Sequence, residues 1–95
     1  MALLFALEEN KLNLNQSVST ISSREELANF VAALRQDLKD HRTEWQNLTL
    51  EDFLEAFGAW VQDMDGYYLN KGLDVPVSPS WQNVAEMLLA AKFYE

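Results

Sequence analysis

The chain has 95 residues, a net charge of −8, 48% hydrophobic residues and no cysteine. That length holds one domain, because two independent cores do not fit in it. The aromatic supply of five Phe, three Trp and three Tyr excludes general disorder, and the lack of cysteine excludes disulfides, thiolate metal ligands and cysteine nucleophiles.

The charge is uneven. Residues 1–42 hold six acids and five bases, whereas residues 43–95 hold nine acids and two bases, and no Lys or Arg occurs between Thr43 and Asn70. Such a surface repels nucleic acid and anionic lipid and suits a basic protein partner.

The opening, Met1-Ala2-Leu3-Leu4-Phe5-Ala6-Leu7-Glu8-Glu9, lacks the basic n-region of a signal peptide, and acids interrupt its apolar run. No stretch reaches the ~20 apolar residues of a membrane span. The expected location is cytoplasmic, which makes the sequon Asn47-Leu48-Thr49 a chance match. Residues 1–16 read as an N-terminal arm or short extra element, and residues 17–95 as a single helical domain.

The first helix is expected over about 23–41. Ser22 with Glu25, or Ser23 with Glu26, fits a capping box. Leu27, Phe30, Val31, Leu34 and Leu38 follow at helical spacing. Each offers roughly 1.5–3 kcal/mol on burial, against about 1–2 kcal/mol per residue of backbone ordering, so this helix must pack to exist.

The second helix is expected over 49–65. Thr49 is placed as N-cap, with Leu48 and Phe53 as a hydrophobic staple. Leu50, Phe53, Leu54, Phe57, Trp60, Val61 and Met64 project onto one arc of about 120° and are expected to face inward. Glu51, Asp52, Glu55, Gln62 and Asp63 lie opposite. Gly58 reads as a close helix crossing and Gly66 as an αL terminator. Beyond it, Asn70-Lys71-Gly72 is a turn signal, and its flanks could pair as a minimal β-hairpin within 67–77.

The third helix is expected over 79–93. Ser78 with Pro79 at the first helical position fits its start, and Ser80 is the alternative. Trp81, Val84, Ala85, Leu88 and Ala91 form its stripe, while the last two turns are apolar nearly all round. The fold class is therefore mainly α, a compact three-helix bundle.

Trp45, Asn47, Thr49-Leu50-Glu51, Phe53-Leu54-Glu55-Ala56, Trp60, Pro79-Ser80-Trp81, Ala85, Ala90-Ala91 and Tyr94-Glu95 together make a pattern. In it the chain resembles a family of small uncharacterised bacterial domains, over about residues 20–95. The resemblance implies a shared fold and no activity, cofactor or site residue.

Few residues carry chemistry. Asp63-Met64-Asp65-Gly66 is similar to the start of a calcium loop, but Tyr67 and Tyr68 then occupy positions 5 and 6, where an oxygen ligand and glycine are needed. His41 is the only histidine; a zinc site needs about three protein ligands, and a general base needs a nucleophile or substrate beside it. Paired carboxylates need a walled cleft to act as acid and base. The expectation is a non-enzymatic protein-binding module with no catalytic residue, metal or cofactor. A basic partner would engage Glu51, Asp52, Glu55, Asp63, Asp65, Tyr67 and Tyr68. A toxin-neutralising (immunity) protein is one concrete form, by analogy of size and charge. The alternatives are a structural homodimer joined through Leu88, Leu89, Phe93 and Tyr94, or a small ligand-binding protein. Monomer and homodimer both remain open.

Overall fold

The computed structural model describes residues 14–15 and 17–94. Expectations for residues 1–13 lie outside the described residues. In chain order come a 3-10 turn at Val18–Thr20, helix α1 (Arg24–Asp40), a second 3-10 turn at Arg42–Glu44, helix α2 (Leu50–Asn70) and helix α3 (Trp81–Ala91). The fold is a mainly α three-helix bundle, and no strand occurs among the described residues.

The helix starts follow from side-chain oxygens that accept the orphan amides of a first turn. Ser23 caps α1, its Oγ accepting the Glu26 N–H at 3.1 Å. The reciprocal half is displaced by one residue, since Glu26 Oε1 accepts from the Ser22 N–H at 2.9 Å and the Ser22 hydroxyl at 3.0 Å. Both serines therefore serve one start. These donors, the Ser22 amide foremost, hold the Glu26 carboxyl below its ordinary pKa. Thr49 caps α2 through the Asp52 N–H at 3.1 Å. Ser80, rather than Ser78, caps α3. Its Oγ accepts the Asn83 N–H at 3.1 Å, and Asn83 Oδ1 accepts the Ser80 N–H at 2.9 Å. Ser78 would have Trp81 three residues on, which has no acceptor to return.

Helix α2 runs past its expected end. Gly66 lies inside it, and Gly72, at φ +70°, terminates it. The Leu73 N–H reaches Tyr68 O at 2.9 Å and the Gly72 N–H reaches Leu69 O at 3.1 Å, the paired bonds of a Schellman end. Tyr67–Asn70 is thus helical, and the expected hairpin does not form. Glycine costs a helix interior roughly 1 kcal/mol, less than burial of Tyr68, which is only 4% exposed, can return.

Helix α3 is the centre of the bundle: α1 and α2 each pack extensively on it and meet each other little. Small residues permit the close approach. Ala85, Ala90 and Ala91 of α3 and Ala56 of α2 are buried. Gly58 has no such role, because a Cβ added there meets nothing within 4 Å. Phe30 and Leu34 of α1 join Leu14, Val18, Ile21, Trp45 and Ala85 in one core cluster, while Met64, Tyr68 and Met87 form a second. Leu14 and Val18 thereby tie the segment before α1 to the main core.

The inward arc expected of α2 is only partly inward. Met64 is buried and Phe53, Phe57 and Trp60 are half-buried, but Leu50 is 72%, Leu54 58% and Val61 41% exposed. Val31 and Trp81, expected on buried stripes, are also exposed. The reason is the packing order. With α3 as the only extensive neighbour of α2, just one side of a 120° arc is covered.

A buried corner joins the elements. Asp37, 7% exposed, accepts the Trp45 indole N–H at 2.8 Å and the Lys92 ammonium at 2.9 Å, both on Oδ2. Lys92 also lies 5.6 Å from the Trp45 ring centroid. The Asn47 side-chain amide donates to the carbonyls of Ala91 and Tyr94 at 2.9 Å each, and the Gln46 and Asn47 backbone amides share Lys92 O. The connection after α1 thus satisfies the last carbonyls of α3.

Candidate functional site

The acidic residues of α2 stand where its outer face meets water. Glu51, Asp52, Glu55, Asp63 and Asp65 are all exposed. The tyrosines expected beside them in a loop are instead in the helix, and they part company. Tyr67 is half-buried, edge-on to Trp60 at 5.0 Å and to Tyr68 at 5.1 Å, with the Lys71 ammonium 4.7 Å from its centroid. Tyr68 is internal. Its hydroxyl donates to Glu86 Oε1 and accepts from Asn83 Nδ2 at 2.9 Å. Burial, reinforced by the Glu86 carboxylate, pushes its pKa far above the usual tyrosine value. Tyr68 therefore faces no partner, because its aromatic face and hydroxyl are both used between α2 and α3.

Asp63 accepts the Tyr94 hydroxyl at 2.6 Å, which raises the tyrosine's pKa, and Tyr94 packs edge-on to Trp60 at 5.4 Å. This contact clamps the chain after α3 onto α2. Of the four residues expected to join a homodimer through α3, Leu88 and Leu89 are half-buried against the main core, Tyr94 is held by Trp60 and Asp63, and only Phe93 is exposed. The apolar end of α3 is apolar because neighbours cover several of its sides.

His41 lies 3.7 Å from Glu44, its Nδ1 to Oε2, while the Asp37 carboxylate one turn back is engaged by Trp45 and Lys92. Among the described residues no group of three His, Cys, Asp or Glu comes together, and no helix is long and apolar enough to cross a membrane.

The feature that the periodicity left unassigned is a groove. It opens between α1 and α2 above Leu88 of α3, encloses about 340 Å³, and has walls of Val31, Leu38, Trp45, Leu50 and Phe53. Its walls are almost wholly apolar. Leu48 and Leu50, on its rim, are 44% and 72% exposed, and Leu54 continues the same strip one turn along α2. A separate cleft of about 460 Å³ lies beside Trp60, Tyr67 and Tyr94 and shares no lining residue with the groove. The buried Trp60 indole N–H has no acceptor among the described residues.

The sequence model described as "Family of unknown function (DUF7660)" matches residues 23–95. The chain belongs to this family. No curated protein and no solved structure matches it. The matched span begins at the cap of α1 and covers all three helices, the groove and the buried corner.

Proposed function

We propose that the chain is a non-enzymatic protein-binding module of the cytoplasm that docks through the groove between α1 and α2 and the acidic rim of α2 beside it. The observation that carries this reading is the continuous apolar surface from Val31 across the groove to Leu50 and Leu54, left open by the helix packing. Scattered exposed apolar residues are ordinary, but a contiguous strip rimmed by charge marks a contact surface. Glu51 and Glu55 lie next to that strip and offer a field that favours a partner with basic residues at that edge. The same carboxylates are exposed to water, whereas acid–base catalysis needs a walled cleft.

Affinity capture tests the reading, with the wild-type chain and the Leu54→Glu chain as parallel baits. The expected result is a protein, whether this chain or another, held by the wild type, lost from the variant, and held less well when salt shortens the Debye length to about 3 Å. Retention of every captured protein by the Leu54→Glu chain would refute it.

A further inference from the structure

We infer that the surface received by this groove is the same face of a second copy of the chain. The inference rests on the groove being the docking face and adds the occupant. Three observations lead to it.

The first is the segregation of charge on α1. At about 100° per residue, Arg24, Arg35 and Lys39 fall on one edge of the helix, while Glu25, Glu26, Asp37 and Asp40 fall on the other side. Arg35 itself lines the groove and Lys39 is one turn further on, exposed. The groove therefore has a basic rim along α1.

The second is the opposite rim. On α2 the exposed apolar strip of Leu50, Leu54 and Val61 is bordered by Glu51, Glu55 and Asp65, and no base occurs on that helix. An occupant that carried only bases would be drawn to α2 and repelled by α1. The matching surface carries acids along one edge, bases along the other and an apolar strip between them.

The third is that the chain presents such a surface itself. A two-fold axis running along the groove lays α2 of each copy over α1 of the other. Leu50 and Leu54 of one copy then meet the Val31 and Leu38 wall of its partner, and the acidic rim meets the basic rim twice. Such an isologous contact closes on itself, as soluble dimers commonly do. The other face-to-face two-fold stacks α2 on α2 and brings like charges together, so charge selects the first. The net charge of −8 on each copy opposes association. At physiological salt, however, charges beyond about 8 Å are screened, while contacts across the rim are not. A stable contact of this kind needs about 800 Å² from each copy.

The test is sedimentation and light scattering of the full chain at about 0.15 M salt, over a range of concentration. The expected result is a reversible dimer. Leu54→Glu, at a position already 58% exposed, is expected to give a monomer with unchanged helical circular dichroism. Arg35→Glu with Lys39→Glu is expected to weaken the dimer about ten-fold or more, and adding Glu51→Lys and Glu55→Lys in the same chain is expected to restore it. That rescue by exchanged charge distinguishes this dimer from general stickiness. A wild-type chain that stays monomeric at millimolar concentration overturns the inference. So does a dimer indifferent to Leu54→Glu, or one lost only when residues 1–13 are removed. A monomer that still loses a captured foreign protein on Leu54→Glu sinks the second copy as occupant and leaves the docking face standing.

Discussion

Replacing Asp37 with alanine removes the acceptor at the buried corner where α1, the connection after it and the end of α3 meet. Asp37 Oδ2 accepts from both the Trp45 indole at 2.8 Å and the Lys92 ammonium at 2.9 Å. The Lys92 side chain is only 13% exposed. In Asp37→Ala the ammonium stays largely out of water with no counter-charge, and the indole N–H loses its partner. Breaking a buried pair from one side costs about 3–5 kcal/mol. The residual exposure of Lys92 places the expected loss near the lower end, about 3 kcal/mol. A domain of this length is stable by roughly 5–14 kcal/mol, so the variant gives up about a fifth to three-fifths of its stability. At a urea m-value of about 1–1.5 kcal/mol per M, the midpoint should fall by about 2–3 M, read by circular dichroism at 222 nm. Because both donors use one oxygen, Asp37→Asn can keep both bonds and lose only the charge, so it is expected to cost about half as much or less. The double change Asp37→Leu with Lys92→Met removes both charges together and should recover most of the loss. A drop below about 1 kcal/mol for Asp37→Ala, the scale of an exposed pair, would refute this account of the corner.

Other expectations follow from single features. Gly58→Ala and Gly66→Ala should each stabilise the fold by about 0.5–1 kcal/mol in urea melts, because both lie inside α2 and an added Cβ meets nothing within 4 Å. Gly72→Ala should destabilise it by about 1 kcal/mol or slightly more in the same melts, since an L side chain is strained at φ +70°. The depressed pKa of Glu26 means that its contribution is complete above the unfolded-state pKa of about 4.3 and is lost as pH falls through the lower folded value. Wild type should therefore exceed Glu26→Gln in stability at pH 6, with the gap closing towards pH 3. For Tyr68 the shift is upward, so the hydroxyl's contribution is present below pH about 10 and is lost as pH rises beyond it, where the unfolded chain ionises first. Phenolate absorbance should lose a late-titrating component in Tyr68→Phe, and the same change should blunt the alkaline loss of stability.

Some of the structure was legible because its causes are local. A serine or threonine cap acts within four residues of itself, so Ser23 and Thr49 announced their helices, and Ser80 was already one of two choices. The extension of α2 through Tyr67 and Tyr68 was not legible. Gly66 is a local stop signal, and what overrides it is burial of Tyr68 against Glu86 and Asn83, residues of another helix. The corner at Asp37 was hidden for the same reason: nothing around that residue tells that Lys92, far along the chain, will meet it. The basic edge of α1 could have been found from spacing alone, because Arg24, Arg35 and Lys39 share it by helical geometry. Its meaning could not, since that depends on the acidic helix across the groove.

By itself the sequence determined three amphipathic helices, the caps of the first two to within a residue, the absence of thiol chemistry and an acidic second half. Those are properties of composition and of neighbours a few residues apart. Only the tertiary structure decided that α3 is the helix both others pack against. From that choice follow the exposure of Leu50 and Leu54, the burial of Tyr68 and the open groove. Periodicity gives the direction of an apolar face but not how many neighbours arrive to cover it, and here one arrives where the arc on α2 has room for two.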